Sequence, residues 1–331
     1  MNVLKAKEIG IASIIILLCI ILTIINPVFL SIDNLLDVIK GNAVLGILAI
    51  GMTLVIITGG IDVSVAAVTT AVTVFVGFLM MNLPDNFLSV VIIFIAAPLF
   101  GMLLGSINGF FVAKIKIPAI VVTLGTLSIF NGGIIYLTSG QYTNSTNFPQ
   151  VFMDFSNLDI FGISILVYIL FAVALCTGYI LKYTTIGRSV FAIGGNQQSA
   201  VRVGINQDRV QLFVFAFMGF LAGIAAIVQI AYTKAIDPNG LAGLELTVIA
   251  AVVLGGANLM GGRGSIKGTL LGVLLLAITE NGLILARIDT FWQRVVVGLI
   301  ILIAVSYDAI QNKRAERKRS TIEVEDEQEA S

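Results

Sequence analysis

The chain has 331 residues, 58% of them hydrophobic and 11% charged, with a mean hydropathy of +1.04. A soluble domain carries about a quarter charged residues, so this composition excludes one and makes lipid the solvent. The net charge of zero gives no basis for a nucleic-acid partner; the lack of histidine removes the usual zinc ligand and neutral-pH proton relay, and Cys19 and Cys176 alone make no metal site.

Lys5 and Lys7 precede an apolar run from Ile9 to Ile25. The run is long for a signal peptide and lacks a small-x-small cleavage site, so it reads as a retained first span. About 20 apolar residues cross a bilayer, and on that measure the sequence predicts ten transmembrane helices. They fall near 9–30, 43–58, 62–82, 87–112, 119–138, 160–181, 210–232, 244–261, 266–286 and 291–310. The second and eighth are short and interrupted by glycine. Pro27 and Pro84 mark span ends, Pro118 opens the fifth span, and Pro98 falls inside the fourth, where it predicts a kink.

The cationic residues orient these spans. With the N-terminus in the cytoplasm and strict alternation, fifteen of the nineteen Lys and Arg fall inside. The outer face keeps Lys40, Lys234, Arg287 and Arg294. The positive-inside rule therefore places both termini in the cytoplasm. Residues 1–312 read as one all-α transmembrane domain. Residues 313–331, a basic block followed by an acidic one, read as a disordered cytoplasmic tail.

One polar interruption is basic: residues 182–209, with Lys182, Arg188, Arg202 and Arg209 against Asp208. Within it Asn196–Val203 reads as a short helix. Gly194-Gly195 precede it, Asn196 caps it and Gly204 ends it. A plain inter-helix loop held inside by its charge is the simpler reading; an element pushed on from the cytoplasm is the functional one.

Thr58-Gly59-Gly60 and Leu254-Gly255-Gly256 break a hydrophobic run in each half of the chain. Paired breaks can mark an inverted repeat around a central pathway. Asp62 follows the first break. A helix cap is the ordinary reading of it, with a proton or cation site as the alternative. Glycine recurs between Gly255 and Gly268, yet no GxxxxGK[ST] motif is present, so the chain has no phosphate loop of that kind. Close packing through small residues and a tight turn holding Arg263 and Lys267 account for this stretch. Polar residues inside spans include Ser128 and Glu280. Asn108, Thr126, Asn131, Gln229 and Asn281 are the candidates for lining a pathway suited to a neutral polyol, which needs hydroxyls and amides without a charge ladder.

Four motifs then follow in order: ITGGIDVSV at 57–65, KIPAIVVTLGT at 116–126, TTIGRSVFAIGGN at 184–196, and LELTVIAAVVLGGANLMGGRGSIKGT at 244–269 with ENGL at 280–283. Together they resemble the membrane permease subunit of ribose-type carbohydrate ABC importers, within the branched-chain amino acid/ribose permease superfamily. The resemblance runs from about residue 40 to 305, and Gln293 and the run at 298–305 fit the family's last span. FPQVFMDFSNLDIFG at 148–162 resembles permeases for autoinducer-2 and rhamnose. Ala66 stands where the family often has Gly, while GGRG at 261–264 keeps its pattern.

The resemblance implies a multi-pass protein of the bacterial inner membrane that transports and catalyses nothing itself. It implies a second permease, identical or a sister subunit, and two cytoplasmic ATPase subunits or a fused one. ATP would be bound by that partner, with no cofactor in this chain. An external solute-binding protein would deliver a monosaccharide to the outer loops near Ser31–Lys40, Ser139–Asp159 and Ala235–Leu241. Asn196–Val203 would be the coupling helix. Gly187, Arg188, Gly194, Gly195, Asn196, Gln197, Ala200, Arg202 and Gly204 would form the coupling set. Two alternatives stand beside this: an ion-coupled secondary transporter using Asp62, Glu245 and Glu280, and a permease for branched-chain amino acids.

Overall fold

The computed structural model describes residues 3–144 and 148–289, and isolated positions from 291 to 306. The expected tenth span and the charged tail lie outside this continuous part. Within it the regular structure is helical apart from four two-residue strands.

The core is organised around one helix. After α1 (Val3–Ile25), a 3-10 turn at Pro27–Leu30 and α2 (Ile32–Gly41), the chain bends by 50° at Asn42 into α3 (Ala43–Ile57). All fifteen residues of α3 are buried. A helix that is apolar all round has no face to offer water and is stable only when enclosed. The enclosure comes from α8 (Ile165–Tyr183), α11 (Gln207–Thr233), α12 (Leu244–Leu254) and α13 (Ile266–Leu285). Its polar group is satisfied inside: Thr53 Oγ1 donates to Ala49 O at 2.8 Å and lies 2.6 Å from Thr269 Oγ1 of α13. By contrast α1 is mostly uncovered and packs along α13 over Ile15, Phe29, Leu275 and Ile278.

The second organising contact joins α5 (Phe87–Ala113) to α11. Gly101, Gly105 and Gly109 repeat every fourth residue on α5; Gly101 and Gly105 meet Gly219 and Gly223 of α11, and Gly109 meets Leu212. A Cβ on Gly219 would overlap Gly101 O and stand 2.9 Å from Gly105 Cα; one on Gly223 would stand 2.5 Å from Pro98 Cα. Small residues at this spacing let two backbones approach, which replaces the hydrophobic drive that lipid does not provide. Pro98 lies inside a continuous α5. Next to this pair, α4 (Val65–Asn82) and α6 (Ala119–Thr138) complete the layer.

Seven helices among the described residues are long and apolar enough to cross a membrane: α1, α4, α5, α6, α8, α11 and α13. The bent pair α2–α3 makes an eighth if taken as one span. Three expected spans differ in form. The eighth, expected over 244–261, is the eleven-residue α12, which stops at Gly255-Gly256 and is too short to cross alone. The sixth begins at Ile165, because β2 (Asp159–Ile160) and β3 (Ile163–Ser164) form a hairpin before it. The third begins at Val65, because residues 58–64 form the turns that close α3.

Beyond the bundle, β1 (Thr143–Asn144) pairs with β4 (Ala235–Ile236), joining two long connections. Helix α7 (Gln150–Ser156) packs beneath them against α5, α8 and α11.

Candidate coupling site and glycine junction

Residues 182–209 do not form a loop with one helix. They form two: α9 (Thr185–Gly195) and α10 (Gln197–Arg202). The polar composition hides an amphipathic face. Ile186, Val190 and Ile193 fall at i, i+4 and i+7, and Val190 and Ile193 are buried. Thr184 Oγ1 accepts from Gly187 N at 3.1 Å and starts α9. Gly187 sits in the α8–α9 elbow, where a Cβ would lie 2.6 Å from Leu181 Cα. Gly194-Gly195 are therefore the last turn of α9, not an unstructured lead-in to α10.

Asn196 Oδ1 accepts from Ser199 N at 2.9 Å and caps α10. Gly204, with φ of 88°, closes it, its N–H donating to Val201 O at 3.0 Å. Ala200 is buried and anchors the inner face, while Gln197 Nε2 donates to Gln207 Oε1 at 2.8 Å. The outer face exposes Val201, Arg202 and Val203; Val203 is 77% exposed. Arg188 is exposed on α9. The element thus presents apolar and cationic groups outward from a doubly capped mount.

That mount rests on a junction of three chain breaks. A Cβ on Gly194 would overlap Ile57 O and stand 2.6 Å from Gly262 N. Gly262 N donates to Ile57 O at 2.8 Å. Gly261 and Gly262 both have positive φ, and a Cβ on Gly262 would lie 3.0 Å from Gly195 Cα. The end of α3, the end of α9 and the turn between α12 and α13 thus meet backbone to backbone. Gly59-Gly60 close α3 here, Gly59 N donating to Ile56 O at 2.9 Å and Gly60 N to Val55 O at 3.0 Å. Gly255-Gly256 end α12, and a Cβ on Gly255 would stand 2.6 Å from the carbonyl carbon of Gly268. The two paired breaks seen in the sequence lie on segments that this junction connects.

Asp62 sits just past the break and is buried. It does not cap α4 in the ordinary manner, since the N-cap position is Ser64. Its Oδ1 accepts from Ser64 N at 2.9 Å and from Ser64 Oγ at 2.6 Å. Ser64 Oγ in turn accepts from Asn108 Nδ2 at 2.8 Å. Thr123 Oγ1 accepts from Val63 N at 3.1 Å. The turn is thereby fixed to α5 and α6. Lys116 and Lys114, between α5 and α6, pair with Asp208 at the start of α11, Lys114 at 3.3 Å. Lys116 first and Lys114 second hold the Asp208 carboxyl below its ordinary range.

The five pathway candidates have separate surroundings, and no two of them share a hydrogen bond among the described residues. Asn108 is fully buried in the Asp62–Ser64 chain. Thr126 Oγ1 donates to Thr123 O at 3.3 Å, and Asn131 is half-buried further along α6. Asn281 exchanges two amide hydrogen bonds with Asn34 of α2, at 3.0 and 3.1 Å. Gln229 faces a cavity near the far end of α11. Sequence reasoning missed α9, the α5–α11 glycine contact and the role of Gly261-Gly262. Each had a signal: the i, i+4, i+7 face, the fourfold glycine spacing, and the GGRG turn.

Residues 34–305 match the family described as branched-chain amino acid transport system / permease component. The chain belongs to this family. Among similar curated proteins is the ribose import permease protein RbsC of Haemophilus influenzae, 36% identical over 295 residues, covering 88% of this chain and 90% of that protein. RbsC of Escherichia coli K12 is 35% identical over 297 residues, covering 87% and 89%. The autoinducer 2 import system permease protein LsrC of Photorhabdus luminescens is 34% identical over 303 residues, covering 90% and 89%. No solved structure matches the chain. A permease component is a transport subunit and not an enzyme, and the long apolar helices agree with a place in the membrane.

Proposed function

We propose that this chain is the membrane permease of an ATP-driven importer for a monosaccharide, in the inner membrane of a bacterium. The observation that carries the reading is its 35–36% identity to ribose import permeases over nearly nine tenths of its length. In this reading the chain has ten spans with both termini in the cytoplasm, the tenth at 291–310 and a charged tail at 313–331. It works as a dimer with a second permease, receives sugar from an external binding protein, and docks a separate ATPase beneath α10.

The geometry supplies a mechanism. The ATPase engages the exposed Val201, Arg202 and Val203, and the capped ends of α10 make it move as a unit. Motion passes through the Gly195–Asn196 corner to α9. At Gly194 it reaches Ile57 O and Gly262 N with no side chain between. From there it is delivered to α3, the enclosed centre of the bundle, and to the α12–α13 turn. Backbone-to-backbone contacts transmit displacement with little slack because packed interiors yield little.

The test is a pull-down from detergent. Wild type should co-purify an ATPase, and an Arg202→Glu, Val203→Glu double variant, altered only on the exposed face of α10, should lose it. An ATPase absent from both, with uptake driven by an ion gradient, would overturn the reading. The acids of such a secondary transporter are otherwise engaged or exposed: Asp62 holds Ser64, Glu245 Oε2 accepts from Gly243 N at 3.1 Å, and Glu280 is exposed on α13. The family description favours a second cargo, a branched-chain amino acid. Vesicle uptake of labelled ribose against labelled leucine separates the two.

A further inference from the structure

The end of α11 remote from α10 borders a cavity of about 250 Å³. Helix α11 has 27 residues, so about 40 Å separates this cavity from the coupling element. Gln229 and Thr233, one turn apart on α11, form its floor, and Thr73 of α4 forms a wall. The exposed Tyr142 and Asp237 and the buried Leu241 line the rest of it.

Backbone pairing fixes its shape. The β1–β4 ladder sets Thr143 opposite Ile236 and Asn144 opposite Ala235, which holds Tyr142 near the segment that carries Asp237. Gly77 of α4 leaves room for Ile236, whose Cδ1 would overlap a Cβ there. Lys234 Nζ donates to Asn157 Oδ1 at 2.7 Å and ties the same corner to the end of α7.

The polar groups divide into engaged and free. The Thr73 hydroxyl donates to Thr70 O at 2.7 Å and the Thr233 hydroxyl to Gln229 O at 2.8 Å; both oxygens keep lone pairs. Asp237 accepts from Asn239 N through Oδ1 at 2.9 Å, and its Oδ2 accepts no hydrogen bond among the described residues. The Gln229 side-chain amide and the Tyr142 hydroxyl also lack a partner among the described residues.

A free carboxylate oxygen, a free amide and a phenol ring around one small cavity suit vicinal hydroxyls, each of which donates and accepts. The volume lies below the roughly 300–1,000 Å³ of pockets for drug-sized ligands, which fits one sugar ring and not a disaccharide. We propose that this cavity is a weak binding site for a single neutral monosaccharide on the permease itself. Gln229 and Asp237 take adjacent hydroxyls, and the Tyr142 ring covers the C–H face. The site holds the sugar between its release by the binding protein and its passage through the bundle. The proposal rests on the sugar-importer reading above.

Two substitutions isolate the chemistry. Gln229→Leu keeps the volume and removes the amide; Asp237→Asn keeps an Oδ1 acceptor for Asn239 N and removes the charge. D-ribose, L-rhamnose and D-glucose are first offered to vesicles holding the assembled wild-type importer and its binding protein. Whichever accumulates is then added at millimolar concentration to detergent-solubilised permease, and saturation transfer to its protons is read by NMR. Wild type should give transfer, and each variant at least fivefold less, while both still co-purify the ATPase. In vesicles both variants should lower maximal uptake at least fivefold with the half-saturating binding-protein concentration unchanged. Tyr142→Ala, at an exposed position, replaces either variant that fails to assemble. Equal transfer from wild type and variants overturns the site, as does no transfer from a wild type that takes up the sugar. If no sugar accumulates with wild type, the importer reading fails and this site falls with it.

Discussion

Gly194 lies against the carbonyl oxygen of Ile57 so closely that no β-carbon fits between them, and the same oxygen accepts from Gly262 N at 2.8 Å. Gly194→Ala must displace one of the three backbones. Overpacking of this kind costs about 1–3 kcal/mol. The variant should still bind the ATPase through α10, yet lose at least tenfold in sugar uptake. Gly178→Ala on α8, where nothing lies within 4 Å, is the control and should keep wild-type uptake. Comparing uptake with co-purified ATPase in the two variants checks this.

The α5–α11 contact should be equally intolerant. Gly219→Ala places a methyl onto Gly101 O and close to Gly105 Cα. A loss of about 1–3 kcal/mol is expected from forcing the helices apart. Gly133→Ala on α6 meets nothing within 4 Å and should be neutral or gain up to about 1 kcal/mol from helix propensity. Unfolding midpoints in detergent give the comparison.

The buried hydroxyl pair at the α3–α13 contact predicts an asymmetry. Thr53 Oγ1 already donates to Ala49 O, so Thr269 is the donor between the two. Thr53→Val leaves the Thr269 hydroxyl buried without that acceptor, at a cost of about 1–3 kcal/mol. Thr269→Val removes only the donor and should cost about 0.5–1.5 kcal/mol. The double variant should cost less than the sum, which a double-mutant cycle of unfolding free energies would measure.

The Lys116–Asp208–Lys114 group predicts a pH dependence. Its carboxyl is held below the ordinary value of 3.8 in the folded protein. The stabilisation is therefore fully present above that value and is lost as pH falls through the lower folded one. Asp208→Asn should lower the unfolding temperature slightly near neutral pH and approach wild type near pH 3. The group is exposed, so the difference should shrink further in high salt. Unfolding temperatures across pH and salt for the two proteins test this.

Much of the architecture was readable because apolar length is a direct signal in lipid. The fifth span, expected over 119–138, is α6 at Ala119–Thr138. The Asn196 cap and the Gly204 stop were readable because each acts through its own neighbours in sequence. Helix α9 was hidden because its apolar face is only three residues wide, Ile186, Val190 and Ile193, in a segment that reads as a polar interruption. The short α12 read as a span because Leu244 to Leu254 is apolar and Gly255-Gly256 count as apolar too, although they end the helix. The glycine junction was not readable at all. Ile57, Gly194 and Gly262 lie far apart in the chain, and nothing local says that one oxygen will face both glycines. Asn281 was a pathway candidate because an amide in a span is costly; Asn34, its partner, lies in the first quarter of the chain.

The complete burial of α3 has a consequence for how the protein is made. Ile57 leaves the ribosome about 150 residues before α11 begins, a delay of roughly 8–30 s at 5–20 residues per second. During that interval α3 has been inserted without α11, α12 and α13, three of the four helices that enclose it. Its Thr53 hydroxyl waits for Thr269, and its glycines wait for Leu170 of α8 and Met218 of α11. The helix that ends up most deeply enclosed is thus among the first to meet lipid, and biogenesis must hold it there, uncovered, until the second half of the chain arrives.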